Sequence, residues 1–169
     1  MIAHLTGRRP RCACRMEDMT MTGKRTLLHV EYDVGLMTTA CCRYRDRPAG
    51  NCGYSPDLSG SIVDRAMFHS DNAYYLGDAT INGHRCKTNL ASNTAYRGFG
   101  GPQGMVAIEE IMDAVARELG KDPLEVRKRN YYGKTERNVT HYYQTVEHNM
   151  LEEMTAELEA SSDYAKRRE

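Results

Sequence analysis

The chain has 169 residues, enough for one domain with its own core, and its 40% hydrophobic content lies on the low side of ordinary globular composition. Lys plus Arg and Asp plus Glu both number 23, so the formal net charge is zero, which argues against a broad basic surface for nucleic acid or an anionic membrane. Residues 1–9 hold no apolar run of signal-peptide length, no window nears the ~18 apolar residues of a membrane span, and the cysteines then read as reduced thiols, so a cytoplasmic setting is expected.

Val30, Tyr32 and Val34 alternate with Glu31 and Asp33, which predicts a half-buried strand ended by Gly35. Ser55 before Pro56 suits an N-cap with proline in the first turn. Leu58, Ile62 and Ala66 then recur every four residues, so a helix bearing Arg65 is expected to run to Phe68. Gly77, Asp78, Asn82 and Gly83 mark turns and leave residues 80–89 as one or two short extended pieces. Gly98, Gly100, Gly101, Pro102 and Gly104 form a breaker-rich loop. Met105, Ile108, Met112, Val115 and Leu119 follow at steps of three and four, a helical stripe that Gly120 stops. Asp122, Pro123 and Glu125 open another short helix in the manner of a capping box, and Leu151, Met154 and Leu158 stripe a last one before the basic end at Lys166 and Arg168. The order of strand, helix, strands, loop and helices is that of an α+β chain.

A glycine loop that runs straight into a helix presents backbone N–H groups and the positive end of a helix dipole, which favours an anion or a closely approaching cofactor. Gly98, Gly100 and Gln103 miss the dinucleotide fingerprint, and no Lys-Ser/Thr pair follows to make a P-loop. A tight turn with glycines present only for geometry is the plain alternative. Cys12, Cys14, Cys41 and Cys42 lack paired C-x-x-C spacing, which argues against a zinc or iron–sulfur site built from them.

The run from Lys87 to Gly104, Lys-Thr-Asn-Leu-Ala-Ser-Asn-Thr-Ala-Tyr-Arg-Gly-Phe-Gly-Gly-Pro-Gln-Gly, resembles the pocket-lining loop of the xanthine dehydrogenase family nearly letter for letter. Ser61-Ile62-Val63-Asp64-Arg65-Ala66-Met67-Phe68-His69, with Asp71-Asn72, resembles the same family at the family's separation, and Asp122-Pro123-Leu124-Glu125-Val126-Arg127 with Arg129-Asn130 continues it. The resemblance is good over residues 49–132, moderate over 17–35 and loose at the carboxyl end.

It implies that residues 1–169 are part of a molybdenum-cofactor-binding domain of the xanthine oxidase family. The implied activity is oxidative hydroxylation of hypoxanthine and xanthine to urate at a molybdenum–molybdopterin centre, in purine catabolism. FAD and [2Fe-2S] are implied on other domains or subunits of a homo- or hetero-oligomer. Residue by residue, Arg97 is implied at the molybdenum centre with Gly98 and Gly100 bringing the backbone to the cofactor, Phe99 against the purine, and Arg65 on a purine carbonyl oxygen. A fixed guanidinium at Arg65 answers negative charge that builds on the ring during attack, the catalytic part of its implied role.

Two glutamates essential to the family fall outside this chain, one in an earlier glycine-rich motif and one in a late Gly-Glu-Pro segment, so an incomplete site, inactive alone, is expected. Residues 36–47 match nothing in the family, which has an acidic turn and then an apolar strand there. Shifting the frame of plausible codons for Gly35-Leu36-Met37-Thr38-Thr39-Ala40 yields an apolar residue, three Asp and Gly. A compensated frameshift is therefore expected over 36–48, with 8–14 as another such stretch, and with it loss of a strand's side-chain pattern and weaker packing on the Arg65 helix. The alternatives are a related hydroxylase of aldehydes or other N-heterocycles, which needs no cation at Arg65, and a non-functional remnant. An RGG-like nucleic-acid segment at Arg97 to Gly101 is a further reading, poorly matched to a neutral chain with one copy.

Overall fold

The computed structural model describes residues 1–168 except Cys12, Cys14, Thr38 and Thr39, and leaves out the side chains of Met16, Met19, Ala40 and Cys42. Tyr44, Asp46 and Pro48 are buried while Arg43 and Arg47 are exposed, the two-residue alternation of a strand. They form the middle of strand β2 (Ala40–Gly53), which pairs antiparallel with β1 (Leu28–Met37) from Leu28 opposite Gly50 to Met37 opposite Ala40. The strand expected to end at Gly35 instead continues to Met37 through a register shift between Gly35 and Leu36. On β2's other edge, β3 (Asp78–Ile81) and β4 (His84–Lys87) both run parallel to it, as one edge strand broken at Asn82 and Gly83. The extended pieces expected within 80–89 are this edge.

Over residues 43–48 the expected loss of side-chain alternation does not occur, because long arginines supply the outward half of the pattern. Friction lies on the inward half. Among the described residues three buried side-chain atoms lack a hydrogen bond of good geometry, and two of them, the Tyr44 hydroxyl and Asp46 Oδ1, belong to this stretch and interact with each other. Thr38, Thr39, Cys12 and Cys14, which fall in the two suspected windows, lie outside the described residues.

Helix α1 (Ile2–Thr6) and a 3-10 turn (Met16–Thr20) precede the sheet, and neither was expected from periodicity. Helix α2 (Ser59–Phe68) ends where expected but starts later than Ser55. The Ser55 hydroxyl is engaged 2.9 Å from that of Ser92, and Asp57 turns the chain at φ 40°, so Ser55 caps nothing. Ile62, Val63 and Ala66 are buried, and Val63 fills the space a Cβ on Gly50 or Gly83 would need, at 2.5 and 2.8 Å. The gap in the edge strand thus receives α2.

Helix α3 (Gly101–Leu119) starts inside the expected loop, since Pro102 is tolerated in a first turn, and it stops at Gly120 with φ 60°. Ile108, Met112 and Val115 of its stripe are buried with Tyr44, Tyr74 and Leu76 in the core. Helix α4 (Pro123–Asn130) is capped by Asp122, whose carboxylate accepts from the Leu124 N–H at 2.8 Å, and Arg127 ties it to Glu109 and Asp113 of α3 at 2.8 and 2.7 Å. Glu125 does not close the capping box but pairs with Lys121 at 3.5 Å. In α5 (Leu151–Ser161) the expected stripe is largely in solvent, Met154 and Leu158 being 51% and 62% exposed, and α5 is held instead by the pairs Lys128–Glu159 and Lys134–Glu153. Helix α6 (Tyr164–Arg168) folds back on Asp122 through Tyr164 and Arg168. No helix among the described residues is long and apolar enough to cross a membrane.

Burial holds the Asp46 carboxyl above the usual carboxylate range, against a smaller lowering by Ser70, whose hydroxyl donates to Oδ2 at 3.1 Å. Such a group adds its full stability below its unfolded pKa of about 3.9 and loses it as pH rises through the folded value. Asp46→Asn is therefore expected to raise urea-unfolding stability at pH 8 by roughly 1–2 kcal/mol, with little change near pH 4. Equal effects at both pH values would assign the change to packing.

Candidate functional site

Residues 98–100 pass through three successive positive φ angles, 95° at Gly98, 48° at Phe99 and 101° at Gly100. Phe99 is the unusual one, because a side chain at φ above zero is strained and persists only where neighbours fix it. One fixing contact is the crossing of α2 and α3. A Cβ on Gly100 would stand 2.0 Å from the Ile62 carbonyl oxygen and one on Gly104 2.3 Å from that of Ala66. These glycines let one helix backbone rest on the other. The glycine requirement at Gly100 comes from this seat on α2, whereas Gly98 is exposed, with Pro102 the nearest group to its missing Cβ.

The same crossing sets Arg65. It lies on the exposed side of α2, with Nε 3.7 Å from where a Cβ on Gly101 would stand, so its side chain runs along the first turn of α3. His69, one turn on, lies beside the same glycine, at 3.3 Å. Among the described residues the guanidinium groups of Arg65 and Arg97 have no carboxylate partner within ion-pair distance. Arg97 is exposed and Phe99 half-buried. Arg65 and the loop are thus neighbours, and the turn that bears Arg97 and Phe99 is the one seated on α2. An unpaired guanidinium beside exposed backbone is a donor set suited to an oxyanion or phosphate group.

Arg25 and Gln103 also belong to this region, and sequence reasoning assigned neither to it. The Arg25 guanidinium donates to the Arg97 carbonyl at 2.9 Å and to Gln103 Oε1 at 3.3 Å, and stands 4.4 Å from the centre of the Tyr96 ring. Gln103 Nε2 in turn donates to the Thr26 carbonyl at 3.0 Å. No local signal announces these contacts, because the partners are more than seventy residues apart. Next to them a groove of about 540 Å³ runs between β1 and α3, lined by Leu28, Val30, Val106 and Ile111.

A second recess, about 980 Å³, opens behind His69 and is lined by Asp71, Tyr132 and Tyr142. Burial holds the Asp71 carboxyl above its ordinary range, and the Tyr132 hydroxyl donates to it at 2.6 Å. Tyr132 follows α4 and Asp71 follows α2, so this bond ties the ends of those two helices together.

The family model described as Molybdopterin cofactor-binding domain matches residues 1–131. The chain is 44% identical over 172 residues to a xanthine dehydrogenase of Calliphora vicina, covering 96% of this chain and 12% of that protein. It is 45% identical over 170 residues to a xanthine dehydrogenase/oxidase of Rattus norvegicus, covering 99% and 13%. Among solved structures, an aldehyde oxidoreductase from Desulfovibrio desulfuricans superposes with a TM-score of 0.79 at 24% identity, over 90% of this chain and 17% of that one, which is a likeness of fold. The chain thus spans about an eighth of the length of the relatives it matches.

Proposed function

Since the chain belongs to the molybdopterin cofactor-binding domain family, we propose that it is a segment of a cytoplasmic molybdenum hydroxylase of the xanthine dehydrogenase kind, acting on a purine. The observation that carries this reading is the Arg97-Gly98-Phe99-Gly100 turn seated on the Arg65 helix, within a chain 45% identical to a xanthine dehydrogenase/oxidase. The cofactor, when bound, supplies the oxidative hydroxylation. FAD and [2Fe-2S] belong to other parts of the complete oligomeric enzyme.

This chain's residues supply binding and orientation. Arg97 donates charge-assisted hydrogen bonds toward the cofactor side, while the exposed backbone at Gly98 allows close approach and Gly100 keeps the turn on α2. Phe99, held at φ 48°, offers a ring face that aligns a flat heterocycle. Arg65 donates to the carbonyl oxygen of the purine and stabilises charge that develops there.

A graft tests the reading. Residues 49–132, placed over the matching segment of the rat xanthine dehydrogenase/oxidase, are expected to retain molybdenum and turn over xanthine. The 169-residue chain alone is expected to do neither, because other binding groups and the general base lie elsewhere. Turnover of aldehydes without xanthine would move the assignment to the aldehyde-acting relatives, and full molybdenum with no turnover of either would mark a remnant.

A further inference from the structure

We propose that Arg25 is a positioning residue for this site, fixing both ends of the turn that carries Arg97 and Phe99. The inference deepens the reading above and rests on it for its functional meaning, but the geometry stands by itself. Phe99, the one non-glycine among the three positive-φ residues, is held at a φ of 48° that persists only where neighbours fix it. Backbone bonds from the Phe99 N–H to the Tyr96 carbonyl at 2.8 Å and from the Gly101 N–H to the Gly98 carbonyl at 3.0 Å hold the turn from within, and α2 meets it at Gly100 and Gly104.

Further support comes from residues 24–26. The Thr94 N–H donates to the Lys24 carbonyl at 2.9 Å, and Arg25 and Thr94 form a parallel bridge, which aligns the incoming chain. From that anchor the half-buried Arg25 side chain spans the turn. One of its nitrogens binds the Arg97 carbonyl before the glycines, and another binds the Gln103 side chain after them. Gln103 closes a ring by donating to the carbonyl of Thr26, the next residue, and the Tyr96 ring packs on the guanidinium.

Two consequences follow from the chemistry. Arg25 grips Arg97 by its main chain, so the Arg97 guanidinium stays available for a ligand. Lysine replaces it only in part, because an ammonium on a flexible stem lacks the rigid planar fork that reaches two separate segments at once and cannot stack flat on a ring.

Trypsin cleavage between Arg97 and Gly98 in the full 169-residue chain, read by mass spectrometry, reports the clamp without any cofactor. Arg25→Met is expected to speed that cleavage about tenfold, with cleavage after Arg117 in α3 and the unfolding midpoint nearly unchanged. Arg25→Lys is expected to fall between Met and wild type. If Arg25→Met does not fold, Gln103→Met is expected to give the same site-specific acceleration. Unchanged cleavage at Arg97, or equal acceleration at Arg117, would overturn the proposal. In the grafted rat enzyme, Arg25→Lys made together with residues 17–132 from this chain is expected to keep molybdenum and lower kcat about tenfold while KM moves less than threefold. Loss of molybdenum in step with kcat would assign a merely structural role. A clamp shown by cleavage in a graft that holds no molybdenum before mutation would leave Arg25 as assigned and defeat the proposed function.

Discussion

Arg65→Met in the grafted enzyme is expected to lower kcat on xanthine about a hundredfold while molybdenum content stays normal. Removing a cation aimed at transition-state charge in a water-poor site costs on the order of 3 kcal/mol, and each 1.36 kcal/mol is about tenfold in rate. Methionine keeps the unbranched length, so packing along the first turn of α3 is preserved. The effect is expected in kcat more than in KM, because the carbonyl oxygen gains most of its charge on the way to the transition state. Small aldehydes have no second oxygen at that distance and are expected to react as well as before. A joint fall in xanthine and aldehyde turnover with molybdenum intact would show that Arg65 serves the α2–α3 crossing and not the substrate.

The largest stability effect is expected at Gly100. An alanine there meets two separate penalties, a φ of 101° that L-residues rarely adopt and a methyl 2.0 Å from the Ile62 carbonyl oxygen. The obstacle is helix backbone and cannot rotate away. Strain of about 1–3 kcal/mol and overpacking of about 1–3 kcal/mol together predict a loss of roughly 4 kcal/mol for Gly100→Ala by urea unfolding. Gly60, in the first turn of α2, has nothing within 4 Å of its missing Cβ, so Gly60→Ala is expected to be neutral or stabilising by about 0.5–1 kcal/mol. If the two substitutions cost the same, the glycines of the turn are not there for the crossing.

Much of this fold is legible wherever apolar residues carry the pattern. The α3 stripe, its stop at Gly120 and the Asp122 cap were all readable, because each signal lies within one or two turns of the chain. β2 was not readable, since its inward positions are Tyr44, Asp46 and Pro48 and its outward ones arginines, a set that reads as loop by hydropathy. Burial of Asp46 runs against the physical rule from which a strand is inferred. We propose that this stretch is the product of a compensated frameshift, since residues 36–47 do not resemble the family while the segments on either side do. In that case the source nucleotides restore an acidic turn and an apolar strand in another frame.

The candidate site is proposed by a different route. Arg65, Arg97 and Phe99 stand out only through a resemblance, and spacing alone would have passed over all three. Arg25 escaped both routes, because its meaning is a tertiary one that links three segments. The α5 stripe misled for the opposite reason. Leu151, Met154 and Leu158 have the right period, but periodicity states only that a face is apolar and says nothing about what covers it.

Among the described residues β2 is the common partner of the three other strands, which predicts an order of assembly. Its partner β1 is its neighbour in the chain, whereas β3 and β4 pair with it from thirty or more residues away, with α2 lying between in sequence. Loop closure favours the hairpin first, and the edge strand then docks on a template already half made. Among the described residues every other strand of the sheet pairs with this arginine-rich one, so a one-residue slip of its register would be passed on to both edges at once.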